Sequence, residues 1–234
     1  MIGGLAAQAA DQQYLIKPGD SLYSIARKHG ITITALAERN GLGKTAHLYA
    51  GKRLIIPSKG TSSSKSSASA STSTTIPSSV QKAIDTTRVE SGRWKYIVIH
   101  HSGVQIGSPK SMDRYHREER RMENGLAYHF VIGNGQGMRD GEVAVGRRWT
   151  KQLDGGHLAS ESQNHIALGI CLVGNFDRQT PTTRQMQSLR ALTKALMKRC
   201  KLSSSAVKTH REINVVNTRC PGAKFNAKAF RSSL

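Results

Sequence analysis

Aromatic residues make up only 5% of this 234-residue chain, so any core must be built mostly from aliphatic side chains. No apolar run is long enough to cross a bilayer, which excludes a helical membrane span. Cysteine is scarce. There are three, Cys171, Cys200 and Cys220, and an odd count argues against a disulfide framework and leaves at least one thiol free or bound to metal. Acidic residues are also few, 15 against 35 Lys and Arg, for a formal net charge of +20. A balance this basic implies an anionic partner such as nucleic acid, a membrane surface or a polyanionic wall. The charge is spread along the chain without a block of one sign, and no nucleic-acid-binding signature accompanies it, so nucleic acid is not the expected partner.

Composition shifts sharply over residues 58–78, which are nearly all Ser, Thr, Ala and Lys. Such a stretch has no apolar periodicity and cannot bury enough surface to offset the entropy of ordering. It reads as a flexible linker between a small unit, 13–57, and a larger one, 79–234. Ahead of the small unit, residues 1–12 are small and apolar. Ala7-Gln8-Ala9 resembles a signal-peptidase site, but a charged start and a full apolar core are missing. The segment reads either as the stump of a trimmed signal peptide or as an ordinary N-terminus.

The small unit opens with the apolar run Tyr14-Leu15-Ile16. Pro18-Gly19 then makes a turn, with Asp20 or Ser21 placed as the N-cap of a helix. Leu22, Ile25 and Ala26 share one helical face, and His29-Gly30 ends it. Ile33, Leu36 and Ala37 repeat the spacing before Asn40-Gly41, and Arg53-Leu54-Ile55-Ile56 is a closing strand. This order, with the segments YLIKPGDSLYSIARKHGI, RNGL and GKRLIIP, resembles the LysM family of wall-binding modules. The resemblance implies a βααβ fold that binds N-acetylglucosamine-containing glycans. Gly19, Asp20, Ser21 and Leu22 would form one side of the sugar groove, and the segment around Leu48, Tyr49 and Ala50 the other.

In the large unit Val80, Ala83 and Ile84 share a helical face. Strand-like runs occupy 96–100, 127–132 and 166–173, and a polar helix is predicted over 112–122. Thr182 and Gln185 make a capping box for a helix whose buried stripe is Met186, Leu189, Leu192, Leu196 and Met197. The alternation of strands and helices predicts an α/β fold.

Three segments carry the chemistry. Ile97-Val98-Ile99-His100-His101-Ser102 is an apolar strand ending in two histidines. The others are Thr209-His210-Arg211-Glu212 and Thr218-Arg219-Cys220-Pro221-Gly222. Zinc binds imidazole nitrogen and thiolate sulfur well, and a catalytic zinc site uses three protein ligands with one position left for water. Spacing alone leaves two readings open, a zinc site or a pair of surface histidines with a buried thiol. His100 and His210 stand 110 residues apart, and no short metal motif joins them.

From about Trp94 onward, the segments IVIHHS, LAYHFVI, NHIALGICLVGNF, QMQSLRAL, THRE and TRCPG resemble, in order, the type-2 N-acetylmuramoyl-L-alanine amidases. That family includes lysozyme-like amidases of some bacteriophages and the animal peptidoglycan recognition proteins. The resemblance implies a mixed central sheet flanked by helices and a Zn2+ ion held by His100, His210 and Cys220. It also implies an active-site tyrosine at Tyr128, and Thr218 at a position where relatives carry lysine or threonine. The reaction implied is hydrolysis of the amide between N-acetylmuramic acid and L-alanine, with peptidoglycan glycan strands and stem peptide as partner. A monomer is expected, in the cell envelope or periplasm or secreted; a phage lysin fits the same residues. Relatives that lack the cysteine generally bind the wall without cutting it, so Cys220 favours an enzyme over a non-catalytic recognition protein.

Two departures from the family matter. Cys171 stands where some relatives have a catalytic Glu, which assigns the chemistry to the tyrosine branch. The stretch REINVVNTR between His210 and Cys220 is longer than in some phage relatives and must bulge for both ligands to meet on one metal. The remaining residues have plainer readings. His101 should point away from His100 on its strand, and His116 and His129 match family positions that are not ligands. His157 reads either as lining the substrate cleft or as an exposed loop histidine. Cys171 reads as a buried small hydrophobe, and Cys200 shows no chemical role.

Overall fold

The computed structural model describes residues 12–42, 48–57 and 76–234, which fall into two units, Met1–Ser71 and Thr72–Leu234. The expected N-terminal segment up to residue 11 and the Ser/Thr-rich stretch 58–75 lie outside the described residues.

In the small unit, β1 (Gln12–Leu15) pairs antiparallel with β2 (Arg53–Ile56), and α1 (Leu22–His29) and α2 (Ile33–Arg39) lie between them in sequence. Ser21 is the N-cap of α1. Its hydroxyl accepts from Ser24 N, and the Ser24 hydroxyl accepts from Ser21 N. Asp20 instead holds the turn, its carboxylate accepting from Tyr14 Oη and Lys17 N, each at 2.9 Å. Asn40 ties α2 to β2, donating to the carbonyls of Leu36 and Ile55 and accepting from Ile55 N at 2.7 Å. Ile16, Leu22, Ile25, Leu36, Leu54 and Ile56 form the core. The side chain of Leu22, expected at the sugar groove, lies in this core. It is 4% exposed, because the apolar stripe of α1 begins with it and turns it inward.

The large unit is built on one five-stranded sheet in the order β5-β4-β6-β3-β7. The strands are β3 (Tyr96–His101), β4 (Phe130–Ile132), β5 (Val143–Val145), β6 (Ala167–Leu172) and β7 (Val207–Thr209). β4, β6, β3 and β7 run parallel, and β5 joins β4 antiparallel, so the sheet is mixed. Every residue of β6 is buried, as expected of a parallel strand covered on both faces, and its sequence ALGICL is accordingly unbroken by polar residues. The helices are α3 (Ser78–Thr86), α4 (Pro109–Glu118), α5 (Arg147–Thr150), α6 (Glu161–Ile166), α7 (Thr183–Cys200), α8 (His210–Ile213) and α9 (Ala227–Ser232).

The predicted stripe of α7 packs into the main core, where Leu189, Leu192 and Leu196 are fully buried with Trp94, Trp149, Phe130 and Phe176. Gln185 does more than complete the capping box with Thr182. It is fully buried, and its Nε2 donates to the carbonyls of Ile132 and Val173, fastening the start of α7 to the strand ends. Arg199 closes the far end of the same helix onto α3, donating to the carbonyls of Ile84 and Thr87; a cation there satisfies the orphan carbonyls of α3. Ile76 also packs in this core, so ordered packing begins before the expected start at residue 79.

Element boundaries moved where local caps outweighed periodicity. The helix expected over 112–122 runs Pro109–Glu118, because Ser108 caps it and Pro109 occupies its first turn. The strand expected over 127–132 narrows to Phe130–Ile132, and the one over 166–173 begins at Ala167 after the short helix α6.

Candidate metal centre

His100 and His210 are brought together by strand pairing. β3 and β7 are parallel neighbours with Ile99 opposite Thr209, so His100, next to last in β3, and His210, the first residue after β7, come side by side at the same edge of the sheet. In open α/β sheets that edge, beyond the carboxyl ends of the strands, is where sites form. The two rings lie 4.4 Å apart between centroids. Cys220 completes the group after an excursion of nine residues. The expected bulge is there: Val215 and Val216 are exposed, and the loop is closed by Arg211 N donating to Cys220 O at 2.9 Å. Asn214 braces it by donating to Val216 O and accepting from Ala159 N.

The ligand atoms of His100, His210 and Cys220 all lie within 4.8 Å of one another. Cys220 Sγ stands 3.7 Å from His100 Nδ1, against an S-to-N edge of roughly 3.6 Å in tetrahedral zinc coordination. Burial holds both imidazoles below the ordinary histidine pKa, so they are neutral and keep a lone pair. Burial also pushes the Cys220 thiol up to about 12, although His101 N donates to its sulfur. A bound cation reverses that preference by stabilising the thiolate. Two neutral imidazoles and a thiol suit zinc.

Tyr128 is half-buried beside the group, its ring centroid 5.2 Å from that of His100. Burial pushes its pKa well above the ordinary value, with the Cys171 thiol as hydrogen-bond partner, so the phenol stays protonated and able to donate. Thr218 Oγ1 accepts from Cys220 N at 3.2 Å, which leaves its hydroxyl proton free. A cavity of 420 Å³ is lined by Tyr128 together with Val104, Ile106, Tyr115 and His116. Val104, Ile106 and Tyr115 are each more than half exposed. Isolated apolar residues in and after a loop gave no sequence signal for this cavity.

His157 does not sit as expected. It is neither an exposed loop residue nor a wall of an open cleft. At 7% exposure it lies behind His100, its Nδ1 3.0 Å from His100 Nε2. Burial holds its pKa at about 3. His101 turns away as expected and accepts from Phe176 N through Nδ1. His129 is structural: Nδ1 accepts from Gly169 N and Nε2 donates to Leu153 O. Glu212 was missed. It caps α8, accepting from Thr209 N, Thr209 Oγ1 and both terminal nitrogens of Arg231 in α9. Burial alone would raise its pKa, but these bonds push it down to about 2. The Thr-x-x-Glu pattern of a capping box was the available signal. In the small unit the side chains of Asp20 and Ser21 serve the turn and the cap.

Residues 90–223 match the family model described as N-acetylmuramoyl-L-alanine amidase, and residues 14–57 match the LysM domain. The chain is similar to peptidoglycan recognition protein 1 of Mus musculus, with 31% identity over 137 residues, 55% of this chain and 69% of the relative. It is also similar to an N-acetylmuramoyl-L-alanine amidase of Sus scrofa, 28% identical over 144 residues, 56% of this chain but 22% of that protein. Among solved structures, the N-acetylmuramoyl-L-alanine amidase LysC from Clostridium intestinale URNW superposes with a TM-score of 0.52 at 30% identity, covering 60% of this chain and 84% of that one.

Proposed function

Since the chain belongs to the N-acetylmuramoyl-L-alanine amidase family, we propose that it hydrolyses the amide between N-acetylmuramic acid and L-alanine in bacterial peptidoglycan, using zinc held by His100, His210 and Cys220. The observation that carries this reading is the convergence of those three donors at the carboxyl ends of β3 and β7. Zinc bound there supplies Lewis-acid polarisation of the scissile carbonyl and a water acidified to a pKa of about 7.

His100 and His210 offer neutral lone pairs. Tyr128, held protonated, exchanges a weak thiol partner for the oxyanion that develops on the carbonyl. Thr218 donates its free hydroxyl proton to the same oxygen. The cavity beside Tyr128, with Val104, Ile106 and Tyr115, receives the stem peptide. The LysM unit holds the enzyme on glycan strands through backbone groups near Gly19, which raises the effective concentration of the catalytic unit at the wall. The +20 charge favours the wall's anionic polymers and supports a reading in which the protein works in the envelope or outside the cell. Among the described residues no helix is long and apolar enough to cross a membrane.

A second reading, wall binding without cleavage, is favoured by the relatives whose names describe recognition alone. Zinc analysis with digestion of purified sacculi decides between them. The enzyme reading expects about one zinc per chain and release of peptide, both lost in His210→Ala. Equal peptide release by wild type and variant would end it.

A further inference from the structure

Among the described residues, His157 is the one buried ring in contact with the metal group that the proposed chemistry leaves without a role. Its two nitrogens have partners of different kinds. Nε2 lies 3.2 Å from Ala167 O, and a carbonyl can only accept, so Nε2 carries a proton. A ring this buried, facing a carbonyl and an imidazole, is neutral, so its Nδ1 is a lone pair. The partner of that lone pair, His100 Nε2 at 3.0 Å, must then carry the proton. His100 is left with its own lone pair on Nδ1, the atom that faces Cys220 Sγ.

The surroundings are shaped for this ring. Gly169 interrupts the apolar run of β6, and glycine inside a strand marks a close approach. A Cβ at Gly169 or at Gly155 would stand 2.6 Å from His157 Nε2, so both glycines leave the slot the imidazole fills. Asn164 pins the loop, its Oδ1 accepting from His157 N and Leu158 N at 3.0 Å and its Nδ2 donating to Leu158 O.

We infer that His157 is a positioning residue for the metal centre: by accepting the Nε2 proton of His100 it fixes the tautomer that presents the His100 Nδ1 lone pair to the metal. The inference rests on the zinc reading above. Hydrogen-bond partners of this kind, when removed, typically cost about 10- to 100-fold in metal affinity.

The test is zinc affinity of the full chain, measured by competition with a chromogenic chelator. His157→Phe keeps a ring but cannot accept, and His157→Asn keeps an acceptor without the ring. The expected result is a loss of about 10- to 100-fold in His157→Phe, with His157→Asn recovering most of it. Gly169→Ala, which alters no ligand, should also weaken binding by displacing the ring. A role in packing alone predicts the opposite order, with Phe tolerated and Asn not. Zinc binding by His157→Phe within threefold of wild type, or His157→Asn no tighter than His157→Phe, overturns the inference. If His157→Phe does not fold, His157→Ala against His157→Asn gives the same comparison. Wild type that binds no zinc refutes the metal reading itself, an outcome distinct from a wild type that binds and variants that do not differ.

Discussion

Tyr128→Phe separates chemistry from structure at this site. The substitution leaves the ring packed against the cluster that contains Met112, Leu126 and Cys171 and removes one hydroxyl, whose partner is the Cys171 thiol. A thiol is a weak partner, so the stability lost is at most about 1 kcal/mol, a fall of roughly 2–4 °C in the melting temperature of a domain this size. Loss of a donor to a developing oxyanion costs about 10²- to 10³-fold in kcat. If the phenol acts only in the transition state, kcat and kcat/KM fall together. Zinc content should not change, because Tyr128 is not a ligand. The assay is steady-state cleavage of a soluble muropeptide, with metal analysis and thermal unfolding on the same preparation. Activity within threefold of wild type would refute the assigned role. Loss of zinc in the variant would show that the tyrosine supports the metal group rather than the reaction.

Three further outcomes are expected. Leu192→Ala removes a fully buried side chain between α7 and the sheet and should cost about 2–5 kcal/mol, read as a fall of the large unit's unfolding midpoint in urea. Asp113 accepts from Arg117 and from Leu126 N, and the Arg117 bond chiefly holds its pKa below the ordinary 3.8. A depressed carboxyl contributes stability that is complete above its unfolded pKa and is lost as pH falls below it. Asp113→Asn should therefore flatten the acid limb of the stability curve below about pH 4 and leave its shape near neutrality unchanged. Removal of residues 1–57 should leave cleavage of soluble muropeptides within about twofold, while cleavage of insoluble sacculi at low enzyme concentration falls by about 10²-fold.

Much of this fold was legible because local signals and burial agreed. The N-cap at Ser21, one of the two residues offered for it, the capping box at Thr182 and the stripe of α7 sit where their residue spacing puts them. β5 and β7 have three residues each and gave no sequence signal because neither sits in a longer apolar run, as the equally short β4 does. The trio of His100, His210 and Cys220 could be named through resemblance but not through spacing. Its proximity is a consequence of strand order, with β7 set beside β3 by a crossover through α7, and no periodicity encodes that. The same reason hid the contact of His157 with His100, 57 residues away. Gly169 inside an apolar strand was the visible trace of it, since a residue with no side chain there calls for something to fill the space.

The central claim is that His100, His210 and Cys220 hold the zinc on which cleavage depends. Its most direct test strips the full chain of metal and titrates zinc back, while counting released peptides that carry a free L-alanine N-terminus. The account predicts no release from the stripped chain, full recovery at about one equivalent of zinc, and no recovery in Cys220→Ser at the same zinc concentration. Release by the stripped chain at the wild-type rate, or full activity in Cys220→Ser, would contradict it.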